Sequence, residues 1–86
     1  QVLTEARQRR DEKKVEATLL NLGQLYVNWF NYPKAAETYS QLLDRARARR
    51  DVVNEIVYLN QLAYIYEQAK DPSRTITYQQ QLVNLY

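Results

Sequence analysis

The chain has 86 residues and contains neither Cys nor His. That removes disulfides, thiol nucleophiles, imidazole acid–base chemistry and zinc sites of the ordinary kind. Twelve basic residues against ten acidic ones leave a net charge of +2, too slight a bias to name nucleic acid as a partner.

One Gly and two Pro supply almost no turn chemistry for β-structure, while 45% of the residues are apolar. The expectation is all-α. In chain order, Val2 to about Arg9 reads as a short opening helix. Asp11 then stands as an N-cap before a helix whose apolar residues, Val15, Leu19, Leu22, Tyr26, Trp29 and Phe30, recur every three or four positions. Asn31-Tyr32-Pro33 ends it, because proline restricts the residue before it and favours a first helical turn. The next helix carries Ala35, Ala36, Tyr39, Leu42, Leu43 and Ala46 on one face. Asp51 caps a third stripe of Ile56, Leu59, Leu62, Ala63, Tyr66 and Ala69. Asp71-Pro72 opens the last, with Ile76, Leu82, Val83 and Tyr86. Five helices are expected, the first incomplete, with short connections that make neighbours antiparallel.

The chain repeats itself. Shifted by forty residues it matches at Gln1/Gln41, Leu3/Leu43, Ala6/Ala46, Arg7/Arg47, Arg9/Arg49, Arg10/Arg50, Asp11/Asp51, Leu19/Leu59, Leu22/Leu62, Tyr26/Tyr66, Gln41/Gln81 and Leu42/Leu82, without a gap. A period of this length belongs to helical solenoids. It divides the chain into residues 1–10, the end of a preceding repeat, residues 11–50, repeat one, and residues 51–86, repeat two. The expectation is a single fragment of a longer array.

Leu22-Gly23-x-x-Tyr26, Ala35 and Tyr39 resemble the tetratricopeptide repeat signature, and Leu62-Ala63-x-x-Tyr66 repeats its first part. The forty-residue period resembles that family's longer-helix subgroup. Thr75 and Gln79 depart from the pattern, so the last helix is expected to pack less well. The resemblance implies antiparallel helical hairpins stacked as a right-handed superhelical solenoid. It also implies a concave groove lined by the first helix of each repeat. A mid-helix Gly costs about 1 kcal/mol against Ala, which calls for close approach of a neighbouring helix, with Ala35 and Ala36 as the facing small surface and Tyr26 and Tyr39 filling the wider parts of the same interface.

Helical spacing from Gly23 puts Leu20, Asn21, Gln24, Val27 and Asn28 on that groove, and Asn60, Gln61, Tyr64, Glu67 and Gln68 in the second unit. Asn21, Gln24, Asn28, Asn60, Gln61, Tyr64 and Gln68 are the candidate partner-binding residues. Amides both donate and accept, so they suit a peptide backbone, and Tyr64 adds an apolar face with a polar tip. A solvated helix face is also polar without binding anything. The family's carboxylate clamp needs Lys and Asn where this sequence has Leu20 and Gln24.

Two basic groups, Arg7, Arg9, Arg10, Lys13 and Lys14, then Arg45, Arg47, Arg49 and Arg50, fall at predicted helix C-termini with acids interleaved. Cations there meet the helix dipole, so an architectural role stands ahead of acidic-partner or nucleic-acid contact. The acids are dispersed, and neither a phosphate loop nor metal-ligand spacing is present. The reading is non-catalytic protein–protein binding by a scaffold, without cofactor or metal. The alternative is a structural or oligomerisation segment of a larger protein. Self-association through open solenoid ends at Val2, Leu82 and Tyr86 is a further expectation. No apolar run approaches a membrane span, and the lack of Cys and of a signal segment points to the cytoplasm.

Overall fold

Apolar residues at helical spacing and three short breaks produce four α-helices in the computed structural model, which describes the backbone of residues 2–85 and the side chains of residues 10–85. These are α1 (Val2–Asn28), α2 (Tyr32–Ala48), α3 (Val52–Gln68) and α4 (Pro72–Leu85). No strand occurs among the described residues. None of the four helices is long and apolar enough to cross a membrane.

The three breaks have one geometry. Phe30, Arg50 and Lys70 each take a left-handed backbone conformation, with φ of 62, 57 and 60°. The amide of each donates to a carbonyl three residues back: Phe30 to Val27 at 3.0 Å, Arg50 to Arg47 at 3.1 Å, Lys70 to Glu67 at 3.1 Å. The next amide reaches five residues back: Asn31 to Tyr26 at 2.8 Å, Asp51 to Ala46 at 2.9 Å, Asp71 to Tyr66 at 2.9 Å. This paired closure satisfies the orphan carbonyls of a helix end, usually with Gly at the left-handed position. The same Asn31, Asp51 and Asp71 start the following helix, their carbonyls accepting from Ala35, Glu55 and Thr75. Asp51 and Asp71 add side-chain caps, accepting from the amides of Asn54 and Arg74 at 3.2 Å each. Asn31 makes no side-chain cap bond.

One expected break does not form. The helix runs straight through residues 9–11, so the described residues form four helices, and Asp11 is no N-cap. The segment is nearly identical to Ala46–Asp51, where the turn does form. Its residues are good helix formers, and a left-handed Arg would cost about 1–2 kcal/mol. At residues 49–51 the packing of α3 against α2 offsets that cost.

Packing is sequential: α1 on α2, α2 on α3, α3 on α4. The array measures 47 × 31 × 13 Å. A closed four-helix bundle would pack α4 against α1, and no such interface forms among the described residues. The core is continuous across α2 and α3, with Ala35, Tyr39, Leu42, Ala46, Leu59, Leu62 and Ile65 essentially removed from solvent. All six residues expected on the face of α2 are buried. On α1 the expectation fails in part: Leu19 and Tyr26 are half-buried, but Val15 and Leu22 are exposed. Trp29 and Phe30 lie beyond the helix end and are largely exposed. Among the described residues α2 is the helix packed on α1, and the outer half of the α1 stripe has no cover there. Ala69 is exposed as well, whereas Tyr58 and Ile65 join the core.

The last helix packs on α3 like its neighbours, so the expected loosening at Thr75 does not occur, but little of its surface is buried. Only Thr75 and Leu82 are buried in α4, whereas α2 buries seven residues. Thr75 turns its hydroxyl back to the Asp71 carbonyl at 2.9 Å. Ile76 and Val83 are exposed.

The forty-residue register is repeated in space. Lys34 stands over the ring of Tyr26 at 5.9 Å, and Arg74 over the ring of Tyr66 at 5.6 Å. Tyr66 also stacks on Tyr78, with centroids 5.5 Å apart.

Candidate functional site

The missing side chain of Gly23 shapes the site. A Cβ added there would lie 2.9, 3.2 and 3.3 Å from Cε2, Cζ and Cδ2 of Tyr39. The nearest neighbour of the glycine is thus the Tyr39 ring, one of the two tyrosines expected in this interface, ahead of Ala35 and Ala36. The ring sits flush on α1 because no Cβ holds it off. From there it reaches α3, 6.4 Å from Tyr58 centroid to centroid. Burial, and secondarily Tyr58, push the Tyr39 phenol above its ordinary value of 10.0, so it stays neutral in physiological conditions.

Tyr39 lines a cleft of about 170 Å³ whose other walls are Gln24, Val27 and Asn28 from α1 and Gln61 from α3. Helices α1 and α3 thus form one face, with α2 behind. Three of the seven candidate residues, Gln24, Asn28 and Gln61, come together here. Asn21 lies one turn before Gln24 on α1; Asn60, Tyr64 and Gln68 lie along α3, outside the cleft walls. Asn21, Asn60, Tyr64 and Gln68 are exposed, and so are Gln24 and Asn28. Gln61 is half-buried. None of the seven side chains is taken up in a hydrogen bond among the described residues. Their donors and acceptors face outward on a strip whose cleft has no charged wall. Tyr39 belongs to the core, as sequence reading expects, and its edge closes the floor of the cleft.

Two of the four arginines of the second basic group, Arg47 and Arg49, are paired. Arg47 bonds Glu55 at 3.2 Å and also Gln81, tying α2 to α3 and α4. Arg49 pairs with Glu16 of α1 and, at 3.2 Å, with Asp51. A depression of about 400 Å³ beside this network is lined by Glu12, Lys13, Glu16, Arg49, Asp51 and Asn54, acids outnumbering bases. Such a wall does not favour phosphate. The backbone amide of Asn54, then Arg49 and the Asn54 side chain, hold the Asp51 carboxyl below its ordinary 3.8. Arg7 and Arg9 of the first basic group lie outside the described side chains.

A second depression of about 360 Å³ opens between the first and third loops, among Tyr32, Pro33, Tyr66, Ala69, Asp71 and Arg74. Its rings are engaged internally: Phe30 meets Tyr32 edge-on at 6.3 Å, and Tyr66 lies against Tyr78 and Arg74. Among the described residues, no group of three or more acids stands where a metal ion could be held.

Comparison with known proteins adds no name to this geometry: no protein-family model, no curated protein and no solved structure matches the chain.

Proposed function

We propose that the chain is a non-catalytic scaffold that binds a partner protein through an extended peptide laid along α1 and α3. The observation that carries this reading is the uncharged cleft of Gln24, Val27, Asn28, Tyr39 and Gln61, with amide donors and acceptors left free on two alternate helices. An extended peptide has unpaired N–H and C=O groups along its length. Amides spaced one helical turn apart can meet them without selecting a particular side chain.

In this reading the helices are tetratricopeptide-type hairpins in a right-handed superhelical array. The forty-residue register, the Gly23–Tyr39 packing and the recurrence of the cation–ring pair support it. The second reading, a structural segment of a larger protein, draws on the small buried surface of α4 and the exposed apolar residues of the outer helices.

The test is selection of linear peptides from a displayed random library on the immobilised chain, with rebinding to a Gln24→Ala/Gln61→Ala variant of matched helical content. The expected result is a recovered sequence class whose binding drops at least tenfold on the variant and changes little with salt, because no phosphate-like charge contact is involved. Enrichment of acidic peptides with a steep salt dependence would move the site to the arginines. No enrichment at all would favour the structural reading.

A further inference from the structure

Two helix faces are left uncovered, and the repeat identifies what they are. Helix α2 lies between α1 and α3, and its Ala36, Tyr39 and Leu43 are 4%, 1% and 3% exposed. Forty residues later the same positions of α4 are Ile76, Gln79 and Val83, with Ile76 53% and Val83 72% exposed. Leu62 and Ile65 of α3, which lies between α2 and α4, are wholly buried. Their equivalents on α1, Leu22 and Leu25, are 37% and 46% exposed. The inner positions of α4, Thr75 and Leu82, remain buried, as do their equivalents Ala35 and Leu42. The loss of cover is therefore confined to the side where a further helix would lie on α4, and a preceding helix on α1.

From this register we infer that two copies of the chain associate head to tail, α4 of one copy seating on α1 of the next as α2 seats on α3. Ile76 and Val83 take the places of Ala36 and Leu43, and Leu22 and Leu25 those of Leu62 and Ile65. At the centre, Gln79 meets Thr18 where Tyr39 meets Tyr58 within the chain, so the contact is weaker than its internal counterpart. The occupant is a second copy because the two stripes are the complementary halves of an interface this chain already makes. Such a contact is heterologous and does not close on itself at two copies. It goes beyond the peptide-binding reading and uses none of the cleft residues. Leu82 is buried against the core, so it takes no part in the contact; Val2 and Tyr86 lie outside the described side chains.

Sedimentation equilibrium of the whole chain tests this. The weight-average mass is expected to rise with concentration past the dimer. Leu25→Glu spoils the α1 face and Val83→Glu the α4 face, and each alone should sediment as a monomer. Mixed in equal amounts, the two should form a dimer and nothing larger, because one good face of each kind remains. A parent that stays monomeric at millimolar concentration overturns the inference. So does either variant dimerising alone, which would mean like faces pair, or a mixture that stays monomeric. Should a variant lose helical content, Val15→Glu and Ile76→Glu replace it, both at exposed positions of the same two faces.

Discussion

The exchange Gly23→Ala sets two opposing effects on one atom. In a helix interior, alanine is favoured over glycine by about 1 kcal/mol. Against that, the new Cβ would stand 2.9 Å from one ring carbon of Tyr39 and within 3.3 Å of two more. An exposed side chain would swing aside. Tyr39 is 1% exposed and held between α1 and Tyr58 of α3, so the ring can yield only by pushing helices apart. Overpacking of that kind costs about 1–3 kcal/mol. The crowding wins, and the net loss is about 1 kcal/mol, which for a chain of this size lowers the melting temperature by about 4–8 °C. The same exchange in a Tyr39→Leu background has no ring to meet. There only the propensity gain remains, and Gly23→Ala should raise the melting temperature. Thermal and urea unfolding monitored by helical ellipticity measure both. A sign reversal between backgrounds is the expected coupling of neighbours. If Gly23→Ala stabilises the parent chain, the close approach is not the reason for the glycine.

Lys70→Gly and Arg50→Gly should each raise stability by about 0.5–1 kcal/mol in thermal unfolding, because glycine takes the left-handed conformation without the penalty a Cβ brings. Phe30→Gly should gain less, since it also gives up the edge contact with Tyr32. Asp51→Ala should lower the melting temperature while Asp11→Ala leaves it unchanged; equal losses would mean that the helix breaks at residues 9–11 after all. Because the Asp51 carboxyl is depressed in the folded state, its contribution is present above pH 3.8 and fades as pH falls through the lowered value. An Asp51→Asn chain should show a shallower acid limb. On the alkaline side, burial raises the phenols of Tyr39 and Tyr66 above 10.0. Unfolded phenols ionise first, so stability should decline as pH rises above about 10, tracked by phenolate absorbance together with ellipticity.

Helix α2 was fully legible from sequence because it is covered on both flanks, so every apolar residue on its face is used. The outer helices were legible only in part. Periodicity shows that Val15, Leu22, Ile76 and Val83 belong to apolar stripes, but not whether a neighbour is there to cover them. Capping was readable at Asp51 and Asp71, where a short carboxylate precedes a helix start. It misled at Asp11. The site was half legible: Gln24, Asn28 and Gln61 emerge from spacing on two helices, whereas Tyr39 enters only through the packing that Gly23 permits.

The misreading at Asp11 separates what the sequence dictates locally from what it leaves to context. Ala6–Asp11 and Ala46–Asp51 differ at one residue, Gln8 against Ala48, and neither choice breaks a helix. Yet the first segment is continuous helix and the second turns through a left-handed Arg50. No local propensity can account for two outcomes from nearly one sequence. The turn is held by tertiary neighbours: Arg49 pairs with Glu16, Arg47 with Glu55, and α3 folds back along α2 to bury Leu59, Leu62 and Ile65. The turn costs about 1–2 kcal/mol for its left-handed residue, and burial of even one leucine returns as much. A segment of this composition therefore turns where a helix pair closes over it and runs straight where the described residues supply none. Supplying a helix to cover Leu22 and Leu25 of α1 should accordingly favour the turn at residues 9–11, and amide exchange at Arg10 and Asp11 would report it.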